Sequence, residues 1–245
     1  MIAEYNFIQK FMVENDCYKT NQKIKPQGIM IHSTATPGVK ASAWYALWNK
    51  PGVLACVHAI IDDTEVWQYL PWDHRAWHAG DQANNTHIGI EICEPAGFKY
   101  GVAATMIGYD VAKNQAYFEK VYHNAVEIAV MLCKLYDLNE TNIIDHSEGH
   151  GLGIATNHAD VRHWFPLHNK SMSIFREDVK KKLDGLDQWQ IDMGNTAIDE
   201  LAKQGLLNDA PKWKKSLDQP IPQWLAWEMF VRIFNKLLKL IERMS

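Results

Sequence analysis

No apolar run in the 245 residues reaches the ~18 that a membrane-spanning helix needs, so membrane insertion is not expected. Four cysteines are present, Cys17, Cys56, Cys93 and Cys133, but no C-x-x-C pair. Neither a zinc knuckle nor a redox motif is therefore indicated. Cys93 and Cys133 fall inside apolar periodic segments, where a thiol acts as a small buried hydrophobe. Excess positive charge is also lacking. With 25 basic against 29 acidic residues the formal charge is -4, which gives no electrostatic basis for nucleic-acid binding. There is no tandem repeat and no low-complexity tract. Met1 to Tyr18 carries Glu4, Glu14 and Asp16 and has no apolar core, unlike a signal peptide. The expectation is a chain made soluble in the cytoplasm.

What is present suits a globular protein. The hydrophobic fraction of 47% suffices for a real core, and the length allows a medium domain plus a small one. Gly28-Ile29-Met30-Ile31-His32 reads as a strand ending in a histidine. Cys56–Ile61 and Glu65–Leu70 flank Asp62-Asp63-Thr64 as a hairpin would. His87 to Cys93 alternates with period two, so His87, Gly89, Glu91 and Cys93 share one face. Asn142 to His146 reads as a further strand ending in a histidine.

Between the last two lies a helix pattern from Phe118 to Cys133, and a second runs through Met172, Phe175, Val179 and Leu183. Strands with interleaved helices predict an α/β fold, a central mixed sheet flanked by helices, over residues 1–184. Beyond Asp184-Gly185 only helical patterns remain, so residues 185–245 are read as a small all-α domain. Thr196-x-x-Asp199 resembles a capping box opening a helix that ends at Gly205. Pro211, Pro220 and Pro222 punctuate the next stretch. Trp224, Trp227, Val231, Phe234, Leu238 and Ile241 recur at helical steps. This domain is too short for a large core alone, so it packs on the first domain, self-associates or targets a surface.

Three candidate metal ligands stand out. His32 and His146 end strands, and Asp160 lies in the loop after Thr156. Imidazole nitrogens and a carboxylate oxygen are zinc ligands, and three of them leave a position open. Eleven histidines allow many other pairings, so spacing alone does not select this one. Trp44, Trp48, Trp67, Trp72 and Trp77 sit among polar neighbours, as either sugar-stacking surfaces or core filling.

Five segments, in order, carry a resemblance. Gly28-Ile-Met-Ile-His32-Ser-Thr34, Val57-His58-Ala-Ile-Ile-Asp62 and Ala76-Trp77-His78-Ala79-Gly80 come first. Asn85-Thr86-His87-Ile88-Gly89-Ile90-Glu91 and His146-Ser147-Glu148-Gly149 through Asn157-His158-Ala159-Asp160 follow. Together they resemble the type 2 N-acetylmuramoyl-L-alanine amidases, which share a fold with peptidoglycan recognition proteins. The form is closest to clostridial and clostridial-phage endolysins. The resemblance covers roughly residues 10 to 183.

It implies one zinc ion held by His32, His146 and Asp160, with Glu91 as general base and acid. His158 stands where many members place an oxyanion-supporting lysine. Val57 replaces a catalytic tyrosine found in some members, which puts more weight on Glu91. His58, Trp77, His78 and Asn157 are implied to contact substrate. For His58 and His78, support of the surrounding loops is the alternative, for Trp77 it is plain packing, and for Glu91 a plain surface carboxylate. The implied substrate is bacterial peptidoglycan, met after release from the cytoplasm. The alternatives are a non-catalytic peptidoglycan-binding module and a zinc peptidase acting within the stem peptide. The C-terminal helices are a candidate for wall targeting or for homo-oligomer formation.

Overall fold

The computed structural model describes residues 6–186, 188–218 and 223–242. In chain order the elements are β1 (Asn6–Gln9), α1 (Asp16–Lys19), β2 (Gly28–Ser33), α2 (Trp44–Trp48), β3 (Ala59–Ile61) and β4 (Glu65–Gln68). Next come β5 (His87–Ile92), β6 (Lys99–Tyr100), β7 (Met106–Ile107), α3 (Val111–Tyr136), β8 (Ile143–Asp145), α4 (His146–Gly151) and α5 (Met172–Asp184). The last three are α6 (Gln188–Lys203), α7 (Ala210–Lys214) and α8 (Gln223–Glu242). Chain contacts divide these into two compact units that meet at Leu183/Asp184.

In the first unit six strands form one mixed sheet in the order β1-β4-β3-β5-β2-β8. Only β3 and β4 run antiparallel, as the hairpin pattern predicts; the other neighbours are parallel. Period-two alternation decides what each face carries. Ile29, Ile31, Ile88, Ile90 and Ile92 point to one face, where Phe118, Val121, Ala125, Ile128, Ala129 and Leu132 of α3 cover them. Phe175 and Val179 of α5 join the same core. Asp110 caps α3 by accepting from Lys113 N, and Asp137, in the left-handed region, ends it. At ~1.5 Å per residue, such a helix spans the sheet.

The other face is covered by loops and short helices. Met12, Trp44, Val57, Ile60, Tyr69 and Cys93 pack there, with Trp48 and Trp67 against them. Most of the tryptophans considered as sugar platforms thus fill core, and Trp72 packs on the α3 side. Cys17 and Cys56 form a disulfide, which their spacing did not signal. Cys93 and Cys133 are buried and free, as expected.

The second unit is helical. Thr196 does not start a helix. It lies inside α6, and its hydroxyl donates to Asp192 O one turn back, while the helix begins at Gln188. Gly205, with positive φ, does follow the helix end. Pro211 stands in the first turn of α7, where a missing N–H costs nothing. Pro220 and Pro222 lie outside the described residues. Leu217 packs on Gly194, where an added Cβ would come within 2.6 Å of it.

Candidate metal centre and active site

His32 and Glu91 are register partners on the neighbouring parallel strands β2 and β5. Period two turns both away from α3. His146 is not the end of a strand. It is the first residue of α4, one position after the cap residue Asp145. Asp145 accepts from Glu148 N while Glu148 accepts from Asp145 N, a reciprocal capping box. Asp160 opens a short 3-10 turn in the left-handed region, at φ 42°. That conformation is sparsely populated outside glycine and tends to mark functional sites. Arg162, two residues on, donates to the Asp145 carboxylate at 2.7 Å. This ion pair ties the segment bearing Asp160 to the cap of the helix bearing His146.

The three candidate ligands converge, with ligand atoms all within 4.8 Å of one another. The hydrogen bonds around them fix which nitrogens carry protons. His78 Nε2 lies 3.2 Å from His87 O, a carbonyl that can only accept. Burial, then the neighbouring His32 and His58, push the His78 imidazole well below its ordinary value, so it is neutral. Its Nδ1 must therefore accept, from His32 Nε2–H at 2.8 Å. His32 Nδ1 is left facing the cluster. On the other side the Thr156 hydroxyl donates to Ala79 O and accepts from His146 Nε2–H at 3.1 Å. His146 Nδ1 is left facing the cluster too, 3.2 Å from His32 Nδ1 and 3.1 Å from Asp160 Oδ2.

Two imidazole nitrogens and a carboxylate this close together call for a positive charge among them, a proton or a metal ion. Asp160 Oδ2 is buried and accepts no hydrogen bond. The donor set, two imidazoles and one carboxylate, suits zinc, with partners behind each imidazole that orient it.

Glu91 Oε2 is likewise buried and without a hydrogen-bond partner. Burial, then the Asp160 and Glu94 charges, push its carboxyl well above its usual range. A recess of about 500 Å³ opens beside it, lined by His32, Glu91, Tyr100, His146, His158 and His163 among others. A second, more open recess of about 520 Å³ shares His78, His146 and His158 with it and is also lined by Trp77 and Thr156. His158 is exposed between the two, its ring stacked on His146 at 4.5 Å. Trp77 is a half-buried wall of the outer recess.

One expectation fails. His58 does not line the groove. It is fully buried, Nε2–H donates to His74 O at 2.8 Å, and Nδ1 accepts from Gly89 N at 3.0 Å. Burial pushes its pKa down to about 4, so this is a neutral histidine pinning β5 to the loop before it. Asn157 is exposed and lines neither recess. His78 reaches both recesses, but its two nitrogens are committed to His32 and His87.

The sequence reading missed Thr156, which orients His146. It also missed Tyr100 and His163, which wall the inner recess and hydrogen-bond to each other at 2.7 Å. No spacing pattern marks these. The Ala76–Gly80 segment does explain Thr156 in retrospect. Gly80 has φ +71°, and a Cβ there would lie 2.6 Å from Thr156 Cγ2, so glycine admits the threonine.

Residues 22–163 match the family described as N-acetylmuramoyl-L-alanine amidase. The chain is 36% identical over 96 residues to N-acetylmuramoyl-L-alanine amidase XlyA of Bacillus subtilis (strain 168), covering 37% of this chain and 32% of that one. It is 37% identical over 90 residues to CwlH of the same organism, an N-acetylmuramoyl-L-alanine amidase, covering 34% and 36%. The match thus spans about a third of the length of these curated relatives. The solved catalytic domain of XlyA superposes with a TM-score of 0.54 at 27% identity, over 71% of this chain and 99% of that domain. The chain belongs to the N-acetylmuramoyl-L-alanine amidase family, of type 2.

Proposed function

We propose that this chain hydrolyses, with one zinc ion, the amide bond between N-acetylmuramic acid and L-alanine in bacterial peptidoglycan. Residues 1–184 form the catalytic domain in this reading. The observation that carries it is the convergence of His32 Nδ1, His146 Nδ1 and the Asp160 carboxylate beside the unpartnered Glu91. His32, His146 and Asp160 hold the ion. When bound, zinc supplies Lewis acidity, which polarises a carbonyl and lowers the pKa of water toward ~7.

The remaining steps belong to side chains. Glu91 Oε2 takes a proton from the attacking water and passes it to the leaving nitrogen of L-alanine. A carboxyl raised well above its usual range holds that proton more readily than an ordinary one, as the second half of the task requires. His158, exposed at the junction of the two recesses, donates a hydrogen bond to the oxyanion of the tetrahedral intermediate. Trp77 offers an indole face to the substrate along the outer recess.

The test is digestion of purified peptidoglycan with and without a chelator, with products identified by mass. The expected product is an intact stem peptide with L-alanine at its new N-terminus, beside uncut glycan strands. Activity should vanish with the chelator and return with zinc. Cleavage inside the peptide would instead assign a peptidase. Tight wall binding without turnover would assign a binding module.

A further inference from the structure

Helix α8 uses one face inside its own unit and leaves another uncovered. Leu225, Met229 and Ile233 are half-buried. On the same side the Lys236 ammonium donates to Gln204 Oε1 at 2.9 Å. At ~100° per residue the opposite side carries Trp224, Trp227, Val231, Phe234, Leu238 and Ile241. Each of these six is between 42% and 67% exposed. Phe230 and Leu237 widen the strip and are exposed as well.

The six follow one another at steps of 3, 4, 3, 4 and 3 residues. That is a heptad seam, whose mean spacing of ~3.5 keeps the same line of side chains facing a partner helix. No polar residue interrupts it.

We propose that α8 is a self-association helix, the seam of one copy packing on the seam of a second copy of this chain. Area supports this occupant. Four aromatic side chains of ~150–250 Å² each and four aliphatic ones, about half uncovered, present on the order of 700 Å², close to the ~800 Å² per partner of a standard interface. A patch of that size is larger than monomers ordinarily expose.

Chemistry disfavours the other occupants. A glycan offers rows of hydroxyls, and beyond the indole N–H groups of Trp224 and Trp227 this seam has no polar side chain to meet them, its other members being aliphatic or phenyl. A lipid surface favours helices rich in lysine and arginine. In α8 Arg232, Lys236 and Lys239 are nearly balanced by Glu228 and Glu242, and Arg232 pairs with Glu228. The first unit of the same chain would cover the seam without changing the mass of the particle, which the test separates.

The test is sedimentation equilibrium of the full chain over a wide concentration series, with V231E and F234E as seam variants. R232E, off the seam, serves as control. The expected result is a mass of about twice the 28.1 kDa chain, dissociating on dilution. Either seam variant should be monomeric, with circular dichroism of a folded protein, and R232E should associate as before. A wild-type chain that stays monomeric overturns the proposal. So does a folded seam variant that still dimerises. If both seam variants unfold, hydrogen exchange of the wild type decides. Protection of α8 amides that rises with self-association supports the seam, and protection independent of concentration overturns it.

Discussion

Glu91 and Glu94 stand three residues apart and have opposite surroundings. Glu94 is buried and saturated: it accepts from Ala35 N, Thr36 N, the Thr34 hydroxyl and the Tyr100 hydroxyl. Glu91 Oε2 accepts from nothing. A satisfied carboxylate holds loops together, whereas an unsatisfied one beside three candidate metal ligands is available to carry a proton. Replacing Glu91 by Gln should lower kcat by ~10²–10⁴-fold while zinc binding and the thermal midpoint change little. Retention of full activity would remove Glu91 from the mechanism.

His58 makes a prediction of a different kind. Its folded pKa of about 4 lies below the ordinary 6.5. As pH falls below 6.5 the unfolded chain binds this proton and the folded chain does not. The stability present at neutral pH is therefore lost progressively between about 6.5 and 4. For one such group the loss is on the order of 3 kcal/mol. Other buried histidines add to the acid sensitivity, so the informative quantity is a difference in slope. His58→Gln, which keeps a donor and an acceptor, should flatten the dependence of unfolding free energy on pH across that window. An unchanged slope would assign the acid lability elsewhere.

At the scale of elements, what could be read from sequence is what periodicity governs. The alternation of β2 and β5 gave both the core face and the site face, because a strand's two sides are fixed by its pleat. The long α3 was legible because its apolar stripe repeats over many turns. The region from Asp145 to Asp160 was not. Asp145-His146-Ser147-Glu148 looked like a strand end, yet the D-x-x-E spacing is that of a capping box, and His146 gains its direction from the helix it opens. Thr196-x-x-Asp199 misled in the opposite sense, since a threonine inside a helix can bond to the turn behind it. The place of His58 could not be read at all, because burial of a histidine depends on contacts distant in sequence.

The role of Gly89 is a consequence of sheet packing. A Cβ at this position would come within 2.6 Å of His78 Cγ. The glycine in β5 thus makes room for the ring that orients His32. Gly89→Ala should displace that ring and destabilise the fold by about 1–3 kcal/mol. It should also weaken zinc binding by ~10–100-fold, although no ligand is altered. Metal titration of the folded variant checks this, and an unaltered affinity would show that His78 is dispensable for orienting His32.

For the whole molecule, the division at Leu183/Asp184 separates chemistry from association. The first unit holds every candidate catalytic side chain, and its counterpart in XlyA is solved as a catalytic domain by itself. The second unit presents the seam. If two copies join through α8, the particle carries two catalytic domains, and binding to a polymeric wall gains from the second one by effective concentration rather than by new contacts. A chain ending at Leu183 should then be monomeric and should cleave small soluble wall fragments at the full chain's rate per site. On intact wall, where two sites can engage at once, its apparent affinity should fall. V231E should reproduce that fall without shortening the chain. A truncated chain that binds intact wall weakly, beside a V231E chain that binds it normally, would show that the C-terminal unit contacts the wall directly and would return it to the role of a targeting module.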